Sequence, residues 1–250
     1  MECLIFSAMM IGPRNRQEDC ILDGSGMLQA DLLSRKSSIS GERVMLTVCD
    51  GMGGHQGGEK ASSFVCGKIK QRCLPDSISG HAVRDCLLDI QAESEKELPD
   101  HSGTTVAGLA ADGDRAVIFN AGDSRVYKIT QESIKCLSHD HSLVQDLVDQ
   151  CMMNAENASA HPLKHMIDFG IGPAFRQVWS IRDVYTVEQS HDPSCDYLLC
   201  TDGLTDIMPD KEIHGILAPA PLENGPRLAG AARKKGLTDN TSFIIARIRK

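Results

Sequence analysis

Val44-Met45-Leu46-Thr47-Val48-Cys49-Asp50-Gly51-Met52-Gly53-Gly54-His55 is the stretch on which the reading of this chain turns. A short apolar run, rich in β-branched residues, ends in a carboxylate and breaks into glycines. Such a run describes a buried strand that delivers Asp50 to a sharp backbone turn. The same grammar returns at Tyr197-Leu198-Leu199-Cys200-Thr201-Asp202-Gly203, and Asp239-Asn240 opens the last alternating segment. A carboxylate beside a buried strand is costly unless a cation or a donor satisfies it. One Asp-Gly alone reads as a turn. Three acids in similar settings point to a shared cation site.

Outward from that stretch, residues 4–10 are apolar and suit a first strand, followed by the polar segment Gly12-Pro13-Arg14-Asn15-Arg16-Gln17-Glu18-Asp19. Residues 23–41, rich in Gly, Ser and Asp, suit a loop or hairpin. Residues 59–73 carry helical spacing, with Ala61, Phe64, Val65 and Ile69 on one face. A second helix is expected over about 80–98, facing Ala82, Cys86, Leu87 and Ile90 inward. The period then drops to two, and residues 104–111, 115–121, 125–130 and 133–137 predict a meander of four strands. A helix near 142–152, a partly helical polar stretch over 154–173, and strands over 178–187 and 197–201 follow. Helices over 210–217 and 227–235 and a strand over 242–248 complete the chain. Clustered strands with helix pairs between them indicate an α+β fold with mostly antiparallel pairing. With no repeat and no low-complexity linker, residues 1–250 read as one domain.

Composition excludes several classes of function. A net charge of −8 and a pI near 5.6 give no support for nucleic-acid binding, which normally shows as a basic excess. No apolar run approaches the roughly 18 residues of a membrane span, and the start lacks a secretory signal, so a cytoplasmic protein is expected. The ten cysteines are scattered without zinc-like spacing, and all ten are expected as reduced thiols.

Seven short patterns occur in order: Arg14-x-x-Gln17-Glu18-Asp19, Asp50-Gly51-Met52-Gly53-Gly54-His55, Ser102-Gly103-Thr104-Thr105, Gly122-Asp123-Ser124-Arg125, Asp140-His141-Ser142, Thr201-Asp202-Gly203-Leu204-Thr205-Asp206 and Asp239-Asn240-Thr241-Ser242. In this order they resemble the metal-dependent protein phosphatases of the PPM or PP2C type, in the bacterial branch. The resemblance spans nearly the whole chain. It implies two packed antiparallel β-sheets flanked by helices. It also implies hydrolysis of phosphoserine and phosphothreonine monoesters in a phosphorylated protein substrate, such as a serine/threonine kinase or its target.

The chemistry suits those residue types. Two divalent cations about 4 Å apart can acidify a bridging water and clamp a phosphate ester. Carboxylate and carbonyl oxygens, without His or Cys, select Mg²⁺ or Mn²⁺ over zinc. By resemblance, Asp50 bridges the cations, the Gly51 carbonyl binds one, and Asp202 and Asp239 hold the other. Glu18 and Asp19 are implied as outer or inner ligands, Glu18 through water. Asp123 is implied in a third, weaker site with Asp202; as a bare pattern it is equally a turn aspartate. Arg14 matches the family's phosphate clamp, since a guanidinium can hold two phosphoryl oxygens at once. Arg16 and Arg125 read as structural, and Thr104 and Thr105 as packing a strand start near the cations.

One position departs from some family members: Met52 stands where they carry a histidine proposed as the general acid. The leaving-group proton is left to His55 or to a metal-bound water. Two other readings stay open, a catalytically silent module on the same fold and a phosphatase of small-molecule phosphomonoesters.

Overall fold

The computed structural model describes residues 1–53, 57–72, 78–154, 157–158 and 161–249. Its strands are β1 (Glu2–Met10), β2 (Asp19–Leu22), β3 (Met27–Leu28), β4 (Leu32–Ser40), β5 (Val44–Met52), β6 (Gly103–Thr104), β7 (Val106–Ala111), β8 (Arg115–Ala121), β9 (Arg125–Ile129), β10 (Ile134–Cys136), β11 (Tyr185–Ser190), β12 (Asp196–Cys200) and β13 (Thr241–Arg249). Its helices are α1 (Gly57–Arg72), α2 (Gly80–Glu97), α3 (Leu143–Asp149), α4 (Asp202–Thr205), α5 (Asp210–Leu217) and α6 (Pro221–Lys235). One sheet runs β10-β9-β12-β13-β1-β4 and the other β11-β8-β7-β5-β2-β3, with β6 paired to β5. The pairings are antiparallel.

Strand alternation explains the layering. In β1, Ile5 and Met9 face the opposing sheet while Phe6, Ala8 and Met10 face helices α4 to α6. In β5, Val44, Leu46 and Val48 enter the core between the sheets, and Met45 and Cys49 pack under α1 and α2. Strands covered on both faces read as continuous apolar runs, which is why the central strands were legible. The result is the expected α+β fold, two antiparallel sheets flanked by helices.

Four expectations are corrected. Residues 23–41 hold the nine-residue strand β4, whose residues alternate between exposed and half-buried at a sheet edge. Its polar composition, Leu-Leu-Ser-Arg-Lys-Ser-Ser-Ile-Ser, hid it, though charge on an edge strand is an ordinary protection against stray pairing. The four-strand meander divides: β7 and β8 belong to one sheet, β9 and β10 to the other. The crossing occurs at Gly122-Asp123, with Gly122 at φ +106°, where local period carries no information about sheet membership. Residues 178–184 precede β11 as a 3₁₀ turn (Val178–Ser180) and a connection, because Trp179 is tethered by its Nε1 to the Gly170 carbonyl at 2.9 Å. Helix α6 begins at Pro221, six residues before the expected start, its first turns disguised by Pro221 and Pro226.

The cysteine expectation also needs correction. Eight described cysteines are free, but Cys86 is disulfide-bonded.

Gly108 sits directly across from Phe119 in the β7–β8 pair. A Cβ at Gly108 would lie 2.1 Å from the Phe119 ring, so the glycine exists to seat the phenyl group. Phe119→Ala should cost about 3–5 kcal/mol in urea unfolding. Gly108→Ala should destabilise separately, and the double variant should lose less than the sum because the smaller side chain vacates the clash. Strict additivity would show that the two do not share this space.

Candidate active site

The carboxylates converge from separate parts of the chain because five segments end at one rim of the sandwich. Strands β2 and β5 pair with Asp19 opposite Asp50, so the ladder places two acids side by side. Asp202 opens α4 after β12, and Asp239 lies two residues before the start of β13. Asp123 lies in the crossing between β8 and β9. Arg14, Glu18, Asp50, Gly51, Asp123, Asp202 and Asp239 all line one cleft of about 580 Å³. Asp19 lies beneath it, with no exposed surface.

Backbone contacts fix Asp50 and Gly51. The Thr104 hydroxyl and the Thr105 amide donate to the Asp50 carbonyl at 2.8 and 2.9 Å, and the Thr105 hydroxyl accepts the Asp50 amide at 3.1 Å. The two threonines therefore hold the strand end, as expected of them. Gly51 donates to the Glu18 carbonyl at 3.1 Å, and a Cβ on Gly51 would lie 2.1 Å from the Gly58 carbonyl oxygen. Glycine at 51 is thus a packing requirement between β5 and the start of α1.

Asn240 has a role that sequence reasoning missed. Its Oδ1 accepts the Glu18 amide at 2.7 Å, and its Nδ2 donates to the carbonyls of Ile11 and Arg16 at 2.8 and 3.1 Å. One buried side chain thereby shapes the loop that presents Arg14, Glu18 and Asp19. The Ser62 hydroxyl, donating to the Glu18 carbonyl at 2.5 Å, braces the loop from α1. Arg14 donates to Asp239 through Nη2 and leaves half its side chain exposed to the cleft. Arg16 pairs with Glu59, and Arg125 pairs with Asp140 at 2.6 Å, so both are structural, as expected. His55 lies outside the described residues. Two further groups, His165 and Asp206, also line the cleft. His165 Nδ1 stands 3.1 Å from Asp206 and 3.9 Å from Asp202.

Electrostatically the site is under-compensated. Burial pushes the Asp19 carboxyl up to about 7, with Asp202 adding to the effect. Burial, then the charges of Asp19 and Asp202, raise Asp50 well above the carboxylate range. Burial alone would raise Asp202 too, but the neighbouring His165 ring and its coupling to Asp50 hold it low. The Thr201 hydroxyl satisfies Asp19 Oδ2 at 3.0 Å, yet Oδ1 of Asp19 and Oδ1 of Asp202 are buried without a hydrogen-bond partner among the described residues. Orphaned carboxylate oxygens in a crowded acidic cleft fit a site for hard divalent cations.

The family model "Protein phosphatase 2C" matches residues 24–224. The chain belongs to the protein phosphatase 2C family. It is 30% identical over 233 residues to the serine/threonine protein phosphatase PstP of Mycobacterium tuberculosis, a match covering 88% of this chain and 43% of that protein. The chain thus spans less than half the length of that relative. It is 32% identical over 216 residues to protein phosphatase PhpP of Streptococcus pneumoniae, covering 81% and 85% respectively. Among solved structures, the catalytic domain of PstP in complex with two manganese ions superposes with a TM-score of 0.74 at 26% identity, covering 100% of both chains. These relatives are bacterial, and the shared architecture is the double sheet described above. Among the described residues, no helix is long and apolar enough to cross a membrane.

A pH prediction follows for the cation-free protein. With Asp19 raised to about 7, the folded state holds a proton that an unfolded aspartate, with a pKa near 3.9, has already released. The folded state then binds more protons between about pH 4 and 7, so stability falls as pH rises through that window and levels above it. Asp19→Asn should flatten this slope and stabilise the chelated protein near pH 8 by on the order of 1–4 kcal/mol. With Mn²⁺ present the order should invert, because the variant loses ligand-linked stabilisation. Thermal melts at several pH values, with and without chelator, check both statements; a variant less stable than wild type in chelator would refute the charge argument.

Proposed function

We propose that this chain is a metal-dependent phosphatase of phosphoserine and phosphothreonine in proteins, reversing a serine/threonine kinase in the cytoplasm. The observation that carries this reading is the convergence of Arg14, Glu18, Asp50, Gly51, Asp123, Asp202 and Asp239 on one cleft. The names of the bacterial relatives support the substrate class. Eight of the nine described cysteines are free thiols, which supports the compartment, while the disulfide at Cys86 argues against it. The proposed domain is the whole of residues 1–250.

In this proposal Asp50 and the Gly51 carbonyl, with Asp202 and Asp239, hold two cations, Mn²⁺ or Mg²⁺. Asp19 and Glu18 act as inner or water-mediated partners, and Asp123 with Asp202 serves a third. When bound, such a pair supplies a strong nucleophile at neutral pH and cancels charge on the phosphoryl oxygens. The chain's own contribution is positioning. Thr104 and Thr105 fix the height of Asp50, and Asn240 fixes the Arg14–Asp19 loop relative to Asp239. Arg14, sharing Asp239 in the free enzyme, swings its paired donors to the phosphate when substrate enters. Phosphate and Asp239 then compete for one guanidinium, and Asp239, were it to hold a cation, would be a weaker competitor for Arg14.

Two experiments test the proposal. The purified protein should hydrolyse an aryl phosphate and phosphopeptides only with Mn²⁺ or Mg²⁺, and Asp50→Asn should abolish turnover. Full activity after exhaustive chelation would overturn the metal-centre reading. Metabolite phosphates turned over better than phosphopeptides would replace the substrate class, and no hydrolysis at all would leave a silent module. Arg14→Ala should raise KM well above tenfold while changing kcat far less, as expected for a group that holds phosphate in ground and transition states alike. An unchanged KM would confine Arg14 to its ion pair.

A further inference from the structure

Met52 is an apolar side chain in a cleft built mostly of charge. It lines the cleft together with Arg14, Glu18 and the aspartates, and Ile167 is the only other large apolar side chain there among the described residues. Side chains two apart on a strand share a face, so Met52 projects from β5 on the side that carries Asp50. It is 38% exposed, too open for a core residue. Water therefore covers a thioether and its methylenes beside the acids, which favours their burial by an apolar group that enters the cleft.

The mount of Met52 is rigid. At the end of β5 it pairs with Gly103 of β6. On the other side, a Cβ on Gly58 would lie 2.9 Å from the Met52 amide nitrogen, so the start of α1 packs directly against this peptide bond. Held on two sides, the backbone cannot carry the side chain back into the core, and only the side-chain torsions adapt. Methionine suits such a place, because an unbranched thioether moulds itself to apolar partners of differing shape. Ile167, half-buried and fixed by the isolated antiparallel bridge between Ser142 and Ile167, gives the cleft its second apolar contact.

Spacing decides what reaches Met52. Along β5 it stands two residues from Asp50, or about 6.6 Å at the usual strand rise. A phosphoryl group placed over Asp50 ends in a seryl or threonyl Cβ, and the next residue of an extended polypeptide lies about 3.8 Å further on. We propose that Met52, with Ile167, is a specificity-determining residue that receives an apolar side chain one or two positions from the phosphorylated residue. The proposal rests on the protein-phosphatase reading and adds to it the kind of sequence preferred. Because Met52 stands on one side of Asp50, one flank of the peptide reaches it and the other does not. A small phosphorylated metabolite lacks that flank and leaves the thioether in water.

The test uses the full-length chain with Mn²⁺ and phosphopeptides of one sequence, each carrying leucine in place of serine at a single position, from two before to two after the phosphorylated residue. In wild type, kcat/KM should rise about tenfold for leucine on one flank. Met52→Gln keeps the length of the side chain without its apolar character, and Met52→Ala removes it; both should bring the leucine-to-serine ratio close to one. Met52→Leu should retain the preference. The ratio is insensitive to a uniform loss of activity, so mere disturbance of the strand end would leave it unmoved. No leucine preference in wild type, or a preference that persists in Met52→Gln or Met52→Ala, would overturn the proposal and leave the protein-phosphatase reading intact. Loss of the preference in Met52→Leu as well would also overturn it, since an apolar contact should survive that change. Phosphopeptides left untouched while metabolite phosphates are hydrolysed would overturn that reading and the proposal together.

Discussion

Asp19 and Asp50 face each other across neighbouring strands, and most of the architecture around the cleft answers that one repulsive pairing. Antiparallel register forces residues opposite one another into close approach. Placing two acids there, one with no exposed surface, spends stability that hydrophobic residues elsewhere must supply. The polar contacts at this rim limit the cost: Thr201 takes one oxygen of Asp19, and Thr104 and Thr105 fix the Asp50 backbone. Among the described residues, no side chain hydrogen-bonds the remaining oxygen of Asp19. The cations proposed for this cleft would offset the repulsion, and the same repulsion would be a source of their affinity.

Much of the fold was legible because double-sided burial leaves an unmistakable record. Val44 to Cys49 and Tyr197 to Cys200 are apolar on both faces, so their strand character and their terminal acids could be read together. The same logic failed where burial is one-sided or absent. Strand β4 contributes a polar edge, and nothing in Ser34-Arg35-Lys36-Ser37-Ser38 separates edge strand from loop. The switch of β9 into the second sheet was invisible for a different reason. Periodicity reports which face of a strand is covered, never which neighbour covers it.

The acids of the site were legible residue by residue, but the groups that position them were not. Asn240 was visible as part of a pattern, yet its three hydrogen bonds reach back more than two hundred residues along the chain. His165 stands in a polar stretch with no period, so only the Ser142–Ile167 bridge reveals what it faces. Ligands announce themselves through the cost of burying charge. Positioning groups are ordinary amides and hydroxyls whose function is set by where distant segments happen to meet.

That dependence on distant segments has a consequence for how the protein is made. The first strand, β1, pairs along its full length with the last strand, β13, in the interior of its sheet. During synthesis from the amino terminus, β1 therefore waits without its β13 partner until residues 241–249 emerge, and Phe6 and Met10 stay uncovered until α4 to α6 form. Contacts of such long sequence separation close slowly, and exposed strand edges invite association in the interval. The fold locks only when its two ends meet. The same closure seats Asn240 against the Arg14–Asp19 loop, so an incomplete chain has neither a finished core nor a finished acidic cleft.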